Sequence, residues 1–325
     1  MGTAPVLVVT ALGAVTADLV ISELHGRGTG VVRLDPSVDF PAGAHMAAAY
    51  SGTGVGGGLH GTICTSTRRL DLAAVRSVYW RRPTPYGSTS SHVPAATRFS
   101  NSQAGAGYTG VLASLPSASY VNHPWRNRAA EYKPAQLAAA ARTGLTAPPT
   151  LVTNDPRAAR RFVDEHSPAV YKPVRGVHLA AEDGTGRTIW VKTVSPDEID
   201  DRVSACPHLF QARVPKVADI RLAAVGDEVF ATRIDNAGEH LDWRQRQDLL
   251  TFTPVPTPPV IRKAVHAYLD VFGLSFGAFD FALTADGQWV WLETNPNGQW
   301  AFVDPPTCAA ITAALADCLQ KGTTP

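Results

Sequence analysis

The sequence predicts an α/β N-terminal portion joined to an α+β remainder, and three observations carry that expectation. The chain opens strand–helix–strand, continues as helices alternating with short strands, and ends with two hairpins separated by a helix. The first strand is 5–10 (PVLVVT), followed by a helical stretch at 16–25 and a second strand at 30–35, an order usual at the edge of a parallel sheet. A strand at 75–82 (VRSVYWRR) is stopped by Pro83, which has no N–H to give to a ladder. Residues 94–115 read as helical despite their glycines, and a strand at 120–123 runs into Pro124, where the first boundary falls.

The next helix has Pro134 in its first turn and ends by Gly144. Another starts at Asp155-Pro156, an N-cap followed by proline at the first helical position. Strands are expected at 169–174, 188–194 and 208–214. One hairpin, 219–235, turns on Gly226-Asp227, and the other, 276–294, turns on Asp286-Gly287. A helix over 257–272 lies between them and one more closes the chain. The expected division is 1–124, 125–206 and 207–325, with no internal repeat.

A length of 325 residues exceeds one average domain, so subdomains sharing a cleft are expected. An apolar content of 45% supplies a sizeable core, and 18% charge is too little for a disordered tail. The formal net charge of +1 gives no global basic field, so no nucleic-acid partner is expected. The start lacks a basic n-region and no long apolar run exists, so neither a signal peptide nor a membrane span is expected. Cys64, Cys206, Cys308 and Cys318 are scattered, which favours incidental thiols over a metal site or disulfide framework. Together these features predict a cytoplasmic protein.

Gly52, Gly54 and Gly57 in SGTGVGGGLHG satisfy G-x-G-x-x-G. A dinucleotide loop also needs a buried strand before it, a helix after it and an acid about twenty residues on. AHMAAAY is a poor strand, LHGTICTS a poor helix, and no acid lies near position 77. The segment is therefore expected to be a hairpin or loop.

The richest chemistry lies in FGAFDFALTADGQWVWLETNPNG, residues 276–298. With a two-residue Asp286-Gly287 turn, Ala285 pairs with Gln288 and Asp280 falls opposite Glu293, their Cβ atoms about 5 Å apart. Asn295 points the same way, because strand side chains alternate. Opposed carboxylates repel, so a positive group should sit between them. Mg²⁺ held by two carboxylates, an amide oxygen and substrate phosphates meets that need. The other reading is a solvent-facing hairpin whose acids align by chance. Phe279, Phe281, Trp289 and Leu292, expected on the opposite face, argue for a packed hairpin with a constrained register.

Lys133 precedes an alanine-rich helix, and Lys172 lies in the strand AVYKPVRG. Each alone reads as a surface lysine, but two lysines upstream of a D…E-x-N hairpin suit a triphosphate, which needs cations besides its metal. Asp219 and Arg221 occur in ADIRLAAV. A two-residue Gly226-Asp227 turn places Arg221 opposite Thr232 and sends Arg233 to the other side. Arg221 suits either an anion clamp or an ordinary Arg–Asp pair. Arg233 and Arg244, the latter in LDWRQRQ, are further candidate anion clamps.

In this order, Lys133, Lys172, HLFQARV, DIR and D…ETNPNG resemble the ATP-grasp superfamily. Within it the chain is similar to the ribosomal-protein glutamate ligases and, more closely, to the ATP-grasp ribosomal peptide maturases, the graspetide or microviridin-type macrocyclases. SVYWRRP resembles the maturases' N-terminal strand, and VNHPWRNRAAEYKPAQLAAAARTGL extends the likeness over most of the chain. The resemblance implies an ATP-grasp fold behind a pre-ATP-grasp α/β domain, with ATP and Mg²⁺ as cofactors. It implies that Lys133 and Lys172 contact ATP, that backbone around Gln211, Arg213 and Val214 binds adenine, and that Asp219 belongs to the same site. Asp280, Glu293 and Asn295 would hold Mg²⁺. Arg221 would stabilise an acyl phosphate, with Arg233 and Arg244 as further catalytic arginines. One departure is clear: the glycine-rich phosphate loop is reduced to Arg175-Gly176, followed by Asp183-Gly184-Thr185-Gly186.

The activity so implied is ADP-forming ligation. Asp or Glu side chains of a ribosomal precursor peptide, leader plus core, would be activated as acyl phosphates and closed onto Thr/Ser hydroxyls or Lys amines. The same resemblance implies a homo-oligomer. Alternatives are an amino-acid (glutamate) ligase, a phosphotransferase, or a non-catalytic ATP-dependent peptide-binding module. Positioning and electrostatics carry such chemistry, so no Ser-His-Asp triad is needed.

Overall fold

A computed structural model describes residues 4–40, 43–52, 58–87, 93–175, 178–180, 186–236, 241–245 and 247–322. The chain divides into two compact units that do not follow chain order. The first comprises Met1–Asn127, Gly273–Phe276 and Gln299–Pro325, and the second Arg128–Phe272 and Gly277–Gly298. Segments 273–276 and 299–325, grouped by sequence with the C-terminal part, thus have their contacts in the first unit.

In the first unit, β1 (Val6–Thr10), α1 (Val15–Gly26), β2 (Val31–Leu34), α2 (Pro36–Asp39), β3 (Ala44–Ser51), β4 (Gly58–Thr65), β5 (Arg69–Asp71), β6 (Ser77–Arg81), α3 (Ala95–Leu112) and β7 (Ser119–Val121) follow one another. A four-stranded sheet runs β2-β1-β6-β7, every pair parallel. Val6, Leu7, Val8 and Val9 are fully buried. A strand covered on both faces in this way reads as a continuous apolar run and not as an alternation.

Residues AHMAAAY, judged a poor strand from sequence, form β3, paired antiparallel with β4 from Ala44↔Thr65 to Ser51↔Gly58. Tertiary pairing overrides the weak propensity of alanine. Gly61 allows the close approach, since a Cβ there would lie 2.1 Å from the Ala47 carbonyl oxygen. Strands β3 and β4 flank the glycine motif, of which Gly52 is described, while Gly54 and Gly57 lie outside the described residues.

Asn122 explains the VNHP segment. Its Oδ1 accepts from the Ser275 and Phe276 amides at 2.8 and 2.9 Å, and its Nδ2 donates to the Phe276 carbonyl at 2.8 Å. This buried amide fixes the chain at 275–276. The closing helix α8 (Pro305–Lys321, numbered below in chain order) is capped by Asp304, and its Leu319 carbonyl accepts from Ser77 Oγ at 2.7 Å.

The second unit follows α4 (Pro124–Ala130), which crosses the unit boundary, and contains α5 (Lys133–Thr143), β8 (Thr150–Thr153), α6 (Pro156–Glu165), β9 (Ala169–Lys172), β10 (His178–Ala180), β11 (Gly186–Thr188), β12 (Lys192–Val194), β13 (His208–Ala212), β14 (Lys216–Val225), β15 (Glu228–Asn236), β16 (Leu250–Val255), α7 (Pro259–Phe272), β17 (Phe276–Thr284) and β18 (Trp289–Asn295). Gly144 at φ +82 ends α5, and the Asp155 side chain caps α6, both as the sequence predicts. The strand expected at 188–194 is split: β11 pairs with β10, whereas β12 pairs with β9. Two larger sheets result, one ordered β12-β9-β13-β8 and the other β16-β15-β14-β17-β18. Among the described residues no helix is long and apolar enough to cross a membrane.

Candidate functional site

The carboxylate hairpin β17–β18 reaches the expected pairing by an unexpected route. Near its tip Leu283 faces Trp289, the Thr284 amide donates to Gln288 O at 3.0 Å, and the Gly287 amide donates to Thr284 O at 3.0 Å. The connection is therefore three residues, 285–287, with Gly287 at φ +82, and not the two-residue turn expected. Continued unbroken, that register would put Asp280 opposite Leu292. A bulge between Asp280 and Phe281 absorbs one residue of β18, so Asp280 faces Glu293 after all.

The bulge also corrects the placing of Leu292. It lines the cleft beside Ala282 and Glu293 instead of the apolar face. Trp291, fully buried, packs behind the hairpin near Tyr268, while Phe279 and Phe281 stack with centroids 6.3 Å apart. The Trp291 amide donates to Thr146 O at 2.7 Å, outside the hairpin.

At the head of the hairpin, four oxygens meet three cations. Asp280 Oδ1 accepts from Arg221 Nη1 at 2.8 Å, and Oδ2 accepts from Arg244 Nη2 at 2.6 Å. Glu293 Oε2 accepts from Lys133 Nζ at 3.1 Å, and Oε1 lies 3.5 Å from the same Arg244 Nη2. Asn295 Nδ2 lies 3.4 Å from both Asp280 Oδ2 and Glu293 Oε1. Burial alone would raise the Glu293 pKa, but Lys133, Arg244 and Lys172 overcome it and hold the carboxyl well below the usual range. Burial likewise opposes the charged Arg244, and Asp280, Glu293 and Asp242 overcome it, raising its pKa.

These groups sit in a cleft of about 520 Å³, within the range of small-molecule sites. Lys172 Nζ donates to Gln211 Oε1 at 2.7 Å, and Gln211 Nε2 donates to Thr150 Oγ1 at 2.9 Å. Burial lowers the Lys172 pKa to about 8, against the pull of Glu293. The Gln211 side chain is thus committed to holding a lysine. Arg213 and Val214 line the wall beyond it. The Ala212 and Arg213 amides donate to Pro149 O and Pro168 O, both at 2.9 Å.

Asp219 lies in the cleft wall with both oxygens on Lys216 Nζ, at 2.7 and 2.6 Å. Burial raises its pKa, although Lys216 pulls the other way. Arg221 is buried beneath Asp280 and is not part of the wall. Gly298 makes room for it, since a Cβ there would fall 2.6 Å from Arg221 Nη2. Arg233 is not brought to the site. It pairs across from Ile220, on the opposite face from Arg221, and binds Asp235 at 2.7 Å. Its expected catalytic placing is therefore corrected by strand parity.

Sequence reasoning missed several cleft residues. Gln136 Nε2 donates to Thr294 O at 2.7 Å and ties α5 to β18; its position three residues after Lys133 was the available signal. Asp242 binds Arg244 at 3.3 Å, and the Arg244 guanidinium lies 4.7 Å over the Trp243 ring. Lys216, three residues before Asp219, was legible only as a possible ion pair.

A divalent cation fits this donor set by chemistry. Among the described residues no three His, Cys, Asp or Glu side chains gather into a metal cluster. The set is two carboxylates and one amide, all oxygen-bearing, which suits Mg²⁺ completed by phosphate and water. Turning the Asn295 amide over would present its oxygen where its nitrogen now lies. The guanidinium nitrogen between Asp280 and Glu293 already stands in for a cation.

No protein-family model and no curated protein matches the chain. Solved structures do. A RiPP-associated ATP-grasp ligase of Chryseobacterium gregarium, in complex with ADP and a leader and core peptide, has TM-score 0.88 at 25% identity, covering 99% of this chain and 98% of that one. The macrocyclase MdnC of Microcystis aeruginosa, bound with the precursor peptide MdnA, has TM-score 0.83 at 25% identity, covering 98% and 99%. D-cycloserine synthetase DcsG, at 16% identity and TM-score 0.58, shares the fold only. By this whole-chain likeness, and by the carboxylate pair in a lysine-walled cleft, the chain is an ATP-grasp ligase similar in structure to RiPP-associated ligases and peptide macrocyclases.

Proposed function

We propose that this ligase uses Mg²⁺ and ATP, forming ADP, to activate Asp or Glu side chains of a ribosomal precursor peptide, leader plus core. Each activated side chain then closes onto a Thr or Ser hydroxyl, or a Lys amine, as an ester or amide ring. The observation that carries this reading is Asp280 directly opposite Glu293 in a cleft walled by Lys133, Lys172 and Arg244. Nucleotide bound there would supply the phosphoryl group that turns a carboxylate into a mixed anhydride, with Mg²⁺ offsetting charge on the transferring oxygens.

The chain's own residues divide the remaining work. Asp280, Glu293 and Asn295 hold the cation, and Arg221 fixes Asp280 from below through its 2.8 Å bond. Lys133 and Lys172 neutralise phosphate oxygens, Lys172 being held in place by Gln211. The Val214 amide, next after two amides already committed to Pro149 and Pro168, is the donor that reads the adenine edge. Leu292, Ala282 and Val170 give the base an apolar wall. Arg244, on the cleft side of Asp280, clamps the acyl phosphate. The division into a pre-ATP-grasp part (1–124), a central part (125–206) and a C-terminal part (207–325) belongs to this reading, as does a homo-oligomeric state. So does a cytoplasmic location, with which four free thiols agree.

Mass spectrometry of a co-expressed precursor tests the proposal, with and without its leader segment. The expected product has lost one water per ring, and only when the leader is present. Added amino-acid mass would instead make the chain an amino-acid ligase, and phosphate gained without dehydration would make it a phosphotransferase.

A further inference from the structure

Arg244 and a divalent cation have claims on the same two atoms. Of the four oxygens of the carboxylate pair, Asp280 Oδ1 is taken by Arg221 and Glu293 Oε2 by Lys133, which leaves Asp280 Oδ2 and Glu293 Oε1. Arg244 Nη2 reaches both, at 2.6 and 3.5 Å. Asn295 touches the same two oxygens from its amide end. A cation coordinated by Asp280, Glu293 and Asn295 would take up these oxygens and repel a guanidinium at this distance.

The remaining contacts of Arg244 suit a side chain that can leave. Its other polar partner is Asp242, two residues away on the same segment, reached at 3.3 Å from Nη1 and 3.1 Å from the backbone amide. Its guanidinium rests on the neighbouring Trp243 ring. Both anchors are sequence neighbours of Arg244 on a segment that Trp243 buries and Lys216 holds at the Leu241 carbonyl at 3.0 Å, so it is the side chain and not the segment that lets go. Arg221 differs: it is buried, and its Asp280 oxygen faces away from the contested pair.

We propose that Arg244 is the resident counter-ion of an unloaded metal site, surrendered when the divalent cation enters. Metal loading then frees the guanidinium for the anionic reactants in the same cleft. The acyl-phosphate clamp is therefore available only once the metal is in place, and an unloaded site keeps its carboxylates neutralised and its arginine out of action. This inference rests on reading Asp280, Glu293 and Asn295 as metal ligands.

The test uses Mn²⁺ alone, without nucleotide, as a spectroscopic substitute for Mg²⁺. Binding is read from loss of the free-ion resonance signal for wild type, Arg244→Met, Lys133→Met and Asp280→Asn. Arg244→Met should bind Mn²⁺ more tightly than wild type, within the roughly 5- to 150-fold span usual for coupled ligands. Lys133→Met, which removes a charge from Glu293 Oε2 but not from the contested oxygens, should gain much less. In wild type, Mn²⁺ should also change the Trp243 emission, isolated by difference against Trp243→Phe, and Arg244→Met should abolish that change. Unchanged or weaker Mn²⁺ binding in Arg244→Met, or an equal gain in Lys133→Met, overturns the proposal while leaving the metal site standing. Undiminished Mn²⁺ binding in Asp280→Asn overturns the metal assignment itself, which is a different result.

Discussion

Hairpins β14–β15 and β17–β18 lie in one sheet, and their strands β14 and β17 are neighbours. The first turns at Gly226-Asp227 and keeps one register from Val225↔Glu228 to Asp219↔Ile234. The second turns in three residues and then corrects itself with a bulge. Its turn is set by side chains: Thr284 and Asp286 hydroxyl and carboxylate bond to each other, and the Gln288 amide donates to Thr284 Oγ1 at 3.0 Å. Two irregularities of opposite effect leave Asp280 and Glu293 face to face. Pairing at a functional position is thus more robust than the turn from which one would count to it. The bulge lies where β18 joins the cleft wall, at the start of the lining run 292–296.

The contrast is broken most severely by Arg221→Ala in the regular hairpin. Asp280 would lose its buried partner, at a cost of about 3–5 kcal/mol by denaturant melts, together with most turnover. A stability change below about 1 kcal/mol would show that the pair is less buried in solution. In the bulged hairpin, Glu293→Gln should cut ADP formation by about 10²–10³-fold with cooperative melting retained. Near-normal ADP release at saturating Mg²⁺ would remove Glu293 from the metal site.

Deleting Leu292 sharpens the comparison, because it converts the bulged ladder to a regular one. Asp280 and Glu293 should stay opposed, so turnover survives, while nucleotide KM rises and stability falls by about 1–3 kcal/mol with the loss of an apolar side chain and the Trp291–Thr146 bond. Complete loss of activity in a folded deletion variant would contradict the register. A smaller effect is expected from pH. Lys172 has its pKa lowered to about 8 from 10.5, so between these values the unfolded chain binds more protons and this group's contribution to stability rises with pH. Phosphate binding needs the protonated amine, so ADP affinity measured by calorimetry should weaken as pH climbs through about 8. Lys172→Arg should flatten that profile; an identical profile would assign it to another group. The smallest effect belongs to Arg233→Ala, whose partly exposed side chain binds only Asp235 among the described contacts: within about 0.5 kcal/mol in stability and no change in kcat.

What the sequence revealed follows the range of the interactions involved. Helix caps at Asp155 and Gly144 and the turn at Gly226 are local, and all were readable. Strand β1 was readable because VLVV admits no polar face. Glu293 and Asn295 share a face because alternation is local too, whereas Asp280 falls opposite Glu293 only because the longer turn and the bulge cancel. Strand β3 was not, since its alanines are held by a ladder to β4 and by the space at Gly61. Gln136 stayed hidden because its partner Thr294 is 158 residues away. The role of the Gln211 side chain, which holds a lysine 39 residues upstream, was not readable either, since only its backbone was considered. Arg233 was offered as an anion clamp for its charge, although the parity already legible in the sequence sent it to the other side from Arg221, which is where it lies.

The discontinuity of the two units has a consequence for anyone who cuts this chain. The carboxylate hairpin at 277–298 leaves the first unit and returns to it, so each unit is threaded through the other's sequence. No single break separates them. A chain ended after Gly298 would keep every carboxylate and lysine of the cleft. It would lose α8, whose Leu315, Ala316 and Leu319 are fully buried and whose Leu319 carbonyl receives Ser77. Such a fragment keeps its chemistry written in the sequence but strips a buried wall from the first unit, so it should be recovered as aggregate and not as a smaller ligase. Split-protein reporters, domain exchanges and circular permutants of this chain must therefore carry 273–276 and 299–325 along with the N-terminal half.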